Sequence, residues 1–273
     1  MIYKMLKRPF FGQFMVKWKN PLSAEKKSEW QKVSTKSDSG GTLFGLFAKS
    51  LVPNAKATIV LGHPMGKEAK GYFLKSGYAD FLRSNGYNIL AFDLNGFGES
   101  TNGNFSYFED IISIGQKAKN LTPDLPIGYH GVSLGGQWAT ISFADNNHCY
   151  DFAIIESAAT TLDEFWIHFP IAYKALKILN VLMPKYRRKI NMVERIKEAT
   201  KLKNILFIYS HSDNWSPVEM GERFMKNCPV PSELWTVSEA KHAQIMKSEF
   251  AESYKKKIVS YFDDSIGKVS SFS

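Results

Sequence analysis

Cysteine and histidine are scarce in this 273-residue chain, which contains two cysteines and six histidines. Cys149 and Cys228 are too few for a disulfide framework or a thiolate metal site, so we expect two small buried side chains. No group of histidines and carboxylates has the spacing of metal ligands, so no metal is expected. The chain also has no run of 18 apolar residues, which excludes a predicted bilayer-spanning helix.

Cofactor and export signals are missing as well. No G-x-G-x-x-G follows the first predicted strand, so no dinucleotide cofactor is expected. Lys4, Lys7, Arg8 and Lys17 interrupt every apolar stretch near the start that could serve as the core of a signal peptide. We therefore expect a cytoplasmic protein without a cofactor.

The net charge of +9 is concentrated in two segments. Residues 1–36 carry +7 and residues 160–203 carry +6, whereas the remainder carries −4. No nucleic-acid-binding motif accompanies this charge, so a nucleic-acid partner is not expected. Two interpretations stay open: peripheral contact with an anionic membrane, and an ordinary solvated surface. Likewise, the aromatic side chains of the first segment either enter lipid headgroups or pack onto the body of the protein: Phe10, Phe11, Phe14 and Trp18.

Short apolar runs alternate with longer helical stretches from residue 33 onward. The extended runs cover residues 33–36, 42–49, 57–62, 88–92, 127–132, 152–156, 205–209 and 233–237. Helices are predicted over residues 67–85, 105–120, 134–145, 218–227 and 243–262. This alternation predicts an α/β fold, a doubly wound and mostly parallel sheet of about eight strands.

Residues 160–203 break this rhythm, because they are too many for a simple crossover between two strands. We interpret them as an inserted helical cap. The predicted organisation is then a basic, aromatic N-terminal arm over residues 1–32, a core over residues 33–159 and 204–273, and the cap.

The sequence Gly131-Val132-Ser133-Leu134-Gly135 stands between a predicted strand and a predicted helix. G-x-S-x-G at such a turn is the nucleophile elbow, in which glycines on both sides of the serine avoid collisions in a tight turn. Ser133 is therefore the predicted nucleophile.

A catalytic serine needs a base and an acid, which follow it in this topology in the order acid, then histidine. His242 follows the last predicted strand and is the predicted base. Asp213, after the preceding strand, is the favoured acid, and Glu156 is its rival. The amides of Leu134 and Met65 are expected to form the oxyanion hole, since Pro64 has no amide hydrogen.

Four motifs in this order resemble the α/β-hydrolase family over residues 33 to 262, within its branch of serine aminopeptidase-like and monoglyceride-lipase-like proteins. His63-Pro64-Met65-Gly66 is similar to the H-G-x-G oxyanion loop, with Pro64 in place of glycine. Residues 93–100, DLNGFGES, resemble the D-x-R-G-x-G-x-S turn, with Asn95 in place of arginine. Asp213 with Pro217 and Ala240-Lys241-His242 resemble the acid and histidine loops.

These features predict a serine hydrolase that cleaves a carboxylic ester through an acyl-enzyme on Ser133. Large apolar residues of the cap, among them Phe165, Trp166 and Phe169, suggest a pocket for an apolar acyl group and a small-molecule ester or lipid-like substrate. A peptidase, an amidase or an acyltransferase would use the same three residues. A binding protein without catalysis is the alternative from another functional class.

Overall fold

An eight-stranded sheet forms the centre of the computed structural model, which describes residues 2–184 and 190–270. The strand order is β1-β2-β4-β3-β5-β6-β7-β8, and β2 runs antiparallel to β1 and β4 while the other pairs are parallel. This confirms the predicted fold class. The strands are β1 (Gln31–Lys36), β2 (Thr42–Ala48), β3 (Ala57–Gly62), β4 (Tyr87–Phe92), β5 (Ile127–Val132), β6 (Phe152–Glu156), β7 (Asn204–Ser210) and β8 (Ser232–Val237).

Helices cover both faces of the sheet. Every residue of β3 to β7 is buried, as is typical of the largely apolar strands of a parallel sheet that is covered on both faces. The described α-helices are α1 (Ile2–Leu6), α2 (Arg8–Phe11), α3 (Ala24–Lys27), α4 (Gly71–Lys75), α5 (Tyr78–Ser84), α6 (Tyr107–Leu121), α7 (Leu134–Ser142), α8 (Leu162–Trp166), α9 (Pro170–Leu182), α10 (Met192–Arg195), α11 (Val218–Asn227) and α12 (Ala251–Ser270). Short 3₁₀ turns occupy Ile196–Glu198 and Ile245–Lys247.

The predicted bounds of two helices were wrong. The single helix expected over residues 67–85 is divided into α4 and α5 at Gly77, whose φ of +71° ends one helix and starts the next. The helix expected from residue 243 begins only at Ala251, because Ala243 has a φ of +54° and a 3₁₀ turn intervenes. Cys149 and Cys228 are free but partly exposed, which corrects the expectation that both are buried.

The segment between β6 and β7 is largely helical where the structure describes it, with α8, α9 and α10 in succession. Thr161 caps α8 by accepting a hydrogen bond from the Glu164 amide at 3.2 Å. Residues 185–189, which fall in the predicted cap, lie outside the described residues. The division into arm, core and cap stays a prediction.

The aromatic side chains of the N-terminal segment pack onto the body, so that the second of the two interpretations holds for them. Phe10 and Phe11 are buried, and their rings lie 5.1 Å and 5.5 Å from the Trp166 ring. Phe14 and Trp18 are partly buried against the same apolar core. The Trp18 indole donates a hydrogen bond to the Glu68 carbonyl at 3.0 Å.

Lys7 fastens this segment to the loop after β4. Its side chain is fully buried, and its Nζ donates a hydrogen bond to Asn95 Oδ1 and lies 4.4 Å from the centre of the Tyr107 ring. Asn95 in turn donates two hydrogen bonds of 2.8 Å to Asp110. Burial lowers the pKa of Lys7 to about 7, against the attraction of the Asp110 carboxylate.

The buried lysine predicts that the protein becomes more stable as the pH rises above 7. Between about pH 7 and the ordinary lysine pKa of 10.5, the unfolded chain binds a proton at Lys7 that the folded chain has released. The Lys7→Met variant should lose this contribution, so the wild type should gain up to about 1 kcal/mol per pH unit relative to it. Urea unfolding of both proteins at pH 7, 8 and 9 measures the difference. Parallel stability curves would contradict the lowered pKa.

Candidate active site

Ser133 occupies a strained turn between β5 and α7. Its φ of +50° and ψ of −110° lie in a region that side chains with a Cβ rarely adopt. The Ser133 amide donates a hydrogen bond to the Glu156 carbonyl at 2.8 Å, which ties the turn to the end of β6. The serine is thereby held at the carboxyl edge of the sheet, where open α/β sheets bind their ligands.

The neighbouring glycines make this turn possible. A Cβ atom on Gly135 would lie 2.3 Å from the Gly62 carbonyl oxygen, and one on Gly131 would lie 2.7 Å from the Gly136 nitrogen. Both contacts are with backbone atoms that cannot move aside separately from their strand and helix. The spacing of G-x-S-x-G therefore follows from the contact of α7 with β3 and β5.

The three predicted triad residues are brought together. His242 Nε2 lies 2.7 Å from Ser133 Oγ, and His242 Nδ1 lies 2.9 Å from Asp213 Oδ2. Asp213 follows β7 and His242 follows β8, so neighbouring strands deliver them to the same edge. A proton on Nδ1 that is donated to Asp213 leaves Nε2 free to accept the serine proton.

Asp213 is held in a form suited to this contact. Burial opposes its ionisation, but hydrogen bonds from His242, Ser216 and the Trp215 amide outweigh burial and lower its pKa below the usual value. Oδ1 accepts from the amides of Trp215 and Ser216 at 2.9 Å and 3.1 Å. The carboxylate is thus fixed in orientation and ionised at neutral pH.

Ser216 is a functional candidate that the sequence analysis missed. Its hydroxyl is 2.7 Å from Asp213 Oδ2, to which it donates, and 3.1 Å from His242 Nδ1. It therefore positions the carboxylate beside the imidazole. Its only signal in the sequence is a serine three residues after the acid, which is too common a pattern to assign a role.

Glu156, the rival acid, belongs to a different set of contacts. Its carboxylate Oε2 accepts a hydrogen bond of 2.5 Å from the Tyr254 hydroxyl and lies 3.3 Å from His130 Nε2. The other nitrogen of His130 lies 2.8 Å from the Tyr78 hydroxyl. Within residues 2–184 and 190–270, the carboxylate that contacts His242 is that of Asp213.

The two amides expected for the oxyanion hole lie on segments that are joined directly. The Gly135 amide donates a hydrogen bond of 3.1 Å to the His63 carbonyl, which joins the elbow to the loop after β3. In the sequence, Leu134 directly precedes Gly135, and Met65 is two residues after His63. Neither the Leu134 nor the Met65 amide donates to another of the described residues. Both donors are thus available to a ligand.

His63 secures that loop, a second role that the sequence analysis missed. Its Nε2 accepts a hydrogen bond from the Leu94 amide at 3.1 Å, and its Nδ1 donates to the Pro64 carbonyl at 2.8 Å. Burial lowers its pKa, so the ring is neutral, as this pattern of one acceptor and one donor requires. The sequence signal for this role is the position of His63 in the H-P-M-G motif, from which only an amide donor for the oxyanion hole was predicted.

A cavity of about 320 Å³ opens at Ser133 and His242. Phe165 and Phe169 line it as predicted, but Trp166 does not. Consecutive helical residues point about 100° apart, and Trp166 faces a second cavity instead. The residues that line the cavity at Ser133 are Pro64, Met65, Gly66, Glu68, Ala69, Tyr72, Ser133, Phe165, Phe169, Trp215, His242, Ala243, Gln244 and Lys247.

In the part of the chain that the structure describes, no helix is both long and apolar enough to cross a bilayer. The same residues contain no cluster of three or more histidine, cysteine, aspartate or glutamate side chains that could hold a metal ion.

The sequence of this chain matches a known protein family and one curated protein. A family model described as serine aminopeptidase, S33, matches residues 53–204, which is more than half of the chain. The uncharacterized protein YqkD of Bacillus subtilis (strain 168) is 22% identical over 285 residues, covering 89% of this chain and 90% of its own.

Solved structures have the same fold at low sequence identity. The Pyrococcus furiosus esterase Pf2001 superposes with a TM-score of 0.69 at 20% identity, covering 92% of this chain and 97% of the esterase. The Pyrococcus horikoshii acylaminoacyl peptidase gives a TM-score of 0.63 at 15% identity, covering 88% of this chain and 42% of the peptidase.

The strained serine predicts an order of stability for two variants that both lack the hydroxyl. Ser133→Gly should be about 1 kcal/mol more stable than Ser133→Ala, because glycine adopts the positive φ without strain and this gain exceeds its greater entropy when unfolded. Chemical denaturation of the two variants measures the difference. If alanine is the more stable residue here, the turn is not strained.

Proposed function

The chain belongs to the serine aminopeptidase S33 family of the α/β-hydrolase superfamily, and on this premise we propose that it is a serine hydrolase that cleaves carboxylic esters with an apolar acyl group. The observation that carries the proposal is the chain of contacts from Ser133 through His242 to Asp213 at the floor of a cavity with apolar walls. Fold similarity alone supports only a hydrolase of this superfamily.

The first half of the proposed reaction forms an acyl-enzyme. Ser133 Oγ attacks the ester carbonyl carbon as His242 Nε2 takes the hydroxyl proton, and Asp213 stabilises the imidazolium. The carbonyl oxygen becomes an oxyanion that accepts hydrogen bonds from the Leu134 and Met65 amides. His242 then gives the proton to the leaving alcohol oxygen as the bond from that oxygen to the acyl carbon breaks.

Water completes the cycle. It attacks the acyl carbon of the acyl-enzyme while His242 Nε2 removes one of its protons, which gives a second tetrahedral intermediate held by the same two amides. Collapse of this intermediate breaks the bond to Ser133 Oγ, and His242 returns the proton to the serine. The products are the alcohol and the free carboxylic acid.

The walls of the cavity favour an apolar acyl group. Met65, Ala69, Phe165, Phe169 and Trp215 surround the entrance to the nucleophile. The Phe165 ring lies 6.4 Å from the His242 ring, and the Phe169 and Trp215 rings are 4.9 Å apart. These side chains lose water when an alkyl chain contacts them, which favours such substrates by roughly 25 cal/mol per Å² of apolar area buried.

An ester is favoured over the N-terminal amide of a peptide by the charges near the cavity. An aminopeptidase must bind the ammonium group of its substrate, for which a free carboxylate is the usual partner. Among the described residues lining the cavity, Glu68 is the one acidic side chain, and its Oε1 lies 2.6 Å from Lys75 Nζ. A substrate ammonium group would therefore have to compete with Lys75 for Glu68.

Ser133→Ala should abolish ester hydrolysis while leaving the fold intact. We expect kcat/KM on p-nitrophenyl esters to fall by about 10⁴ to 10⁶, because the acyl-enzyme can no longer form. Rates are measured on esters of rising chain length and on aminoacyl-nitroanilides, with circular dichroism as the folding control. A variant that keeps a tenth of the wild-type rate would refute Ser133 as nucleophile, and faster cleavage of the anilides would move the substrate class to amides.

Two matched replacements of a carboxylate by an amide test the acid. Asp213→Asn should lower kcat/KM by about 10³ to 10⁴, because the hydrogen bond that sets the His242 tautomer is lost. Glu156→Gln should lower it far less, because its carboxylate contacts Tyr254 and His130. Comparison of the two rates on one soluble ester, with both variants checked for folding, decides the assignment. The opposite ranking would make Glu156 the acid.

A further inference from the structure

Exposed apolar side chains are concentrated on one part of the surface. Of the thirteen large hydrophobic side chains that are exposed in the described residues, nine lie in α1 or in residues 167–183, with exposed fractions from 44% to 80%. We call these nine the apolar face: Ile2, Tyr3, Met5, Ile167, Ile171, Ile178, Val181, Leu182 and Met183.

Helix α9 carries four of the nine residues of this face and has apolar side chains both on its buried side and on its outer side. Ala172 and Leu176 are buried against the body, whereas Ile171, Ile178 and Val181 are 78%, 61% and 80% exposed. Positions 171, 178, 181 and 182 share one side of a helix, since they recur at intervals of three, four and seven residues. A surface helix in water is polar on its outer side, so this outer side is suited to a less polar environment.

The second cavity joins α1 to α9 and opens onto the apolar face. It has a volume of about 320 Å³, and Leu6, Phe10, Trp138, Trp166, Leu176 and Leu179 are among its walls. Ile2, Tyr3 and Met183 line it and are also members of the apolar face. Ile2 and Tyr3 of α1 and Met183, directly after α9, therefore flank one apolar opening.

The charges around the apolar face are mainly positive, and the partly exposed Asp163 of α8 is paired with Lys177 of α9. The sequences of α1, α2 and α9 contain no acidic residue, and Lys4, Arg8 and Lys174 on these helices are exposed. In the sequence, no aspartate or glutamate occurs before Glu25 or between Glu164 and Glu194. A second copy of the chain docked symmetrically on this face would bring like charges together, whereas an anionic lipid surface complements them.

We propose that the apolar face docks onto an anionic lipid membrane. Ile171, Ile178 and Val181 enter the boundary between headgroups and acyl chains, while Lys4 and Lys174 contact lipid phosphates. The surface differs from the one the N-terminal sequence suggested, because Phe10 and Phe11 are buried and Lys7 is bound to Asn95. The proposal concerns binding and is independent of the reaction at Ser133.

The test is co-sedimentation with vesicles of phosphatidylcholine alone and of phosphatidylcholine with 30% phosphatidylglycerol. Wild type should bind the anionic vesicles at least about tenfold more tightly, and raising the salt from about 0.05 M to 0.5 M should remove most of the difference. The double variant Ile178→Glu, Val181→Glu should lose at least about tenfold in binding. The matched control is Leu51→Glu, Val52→Glu, which places the same charges on exposed apolar residues elsewhere and should bind as wild type does.

A second double variant, Lys4→Gln with Lys174→Gln, separates charge from apolar insertion. It should bind anionic vesicles about tenfold less tightly, because each lysine contributes roughly 1 kcal/mol at such a surface, with some loss to screening. Every variant should have the circular dichroism spectrum and the unfolding midpoint of the wild type, which shows that it is folded. Failure of wild type to sediment with either vesicle, or equal binding by the glutamate variant, would overturn the proposal. So would a dimer in light scattering that dissociates in that variant without any vesicle binding.

Discussion

The site depends on one close approach of two backbones. Helix α7 can follow β5 so tightly only because Gly135 lies against Gly62, where no Cβ fits, and the Gly135 amide then reaches the His63 carbonyl at 3.1 Å. This single contact fixes the strained turn at Ser133 relative to the loop that contains Met65. The candidate nucleophile and both candidate oxyanion donors are therefore placed by the sheet itself, and the loops that carry His242 and Asp213 need only reach the same edge.

Two buried carboxylates stand near this elbow, and their partners give them different properties. Asp213 accepts four hydrogen bonds, from His242, from the Ser216 hydroxyl and from two amides, and it stays ionised despite burial. The Glu156 carboxylate instead contacts the Tyr254 hydroxyl and the His130 ring. Both residues end or follow neighbouring strands, which is why strand positions alone left the choice open. Side-chain direction decides which carboxylate meets the imidazole.

The sequence predicted the sheet and the three aligned catalytic candidates because their signals are local: apolar strand runs, one glycine-framed serine, and polar residues just after strands. It failed where the outcome depends on packing between distant segments. The break at Gly77 and the late start of α12 follow from chain turns that leave no periodic signal. Which cavity Trp166 faces is set by the rotation of α8, and the burial of Phe10 and Phe11 required knowing what they would meet.

Lys7 and Asn95 also depend on each other. The turn after β4 has Asn95 where the motif it resembles has arginine, and Lys7 brings its amine to Asn95 from a segment 88 positions away. An arginine side chain at position 95 would compete with the Lys7 side chain for the space beside Asp110. We therefore expect replacements at the two positions to be non-additive in their effect on the free energy of unfolding. Removal of the N-terminal helices would take the Lys7 donor away from Asn95 and would uncover the body of the protein where Phe10 and Phe11 now pack.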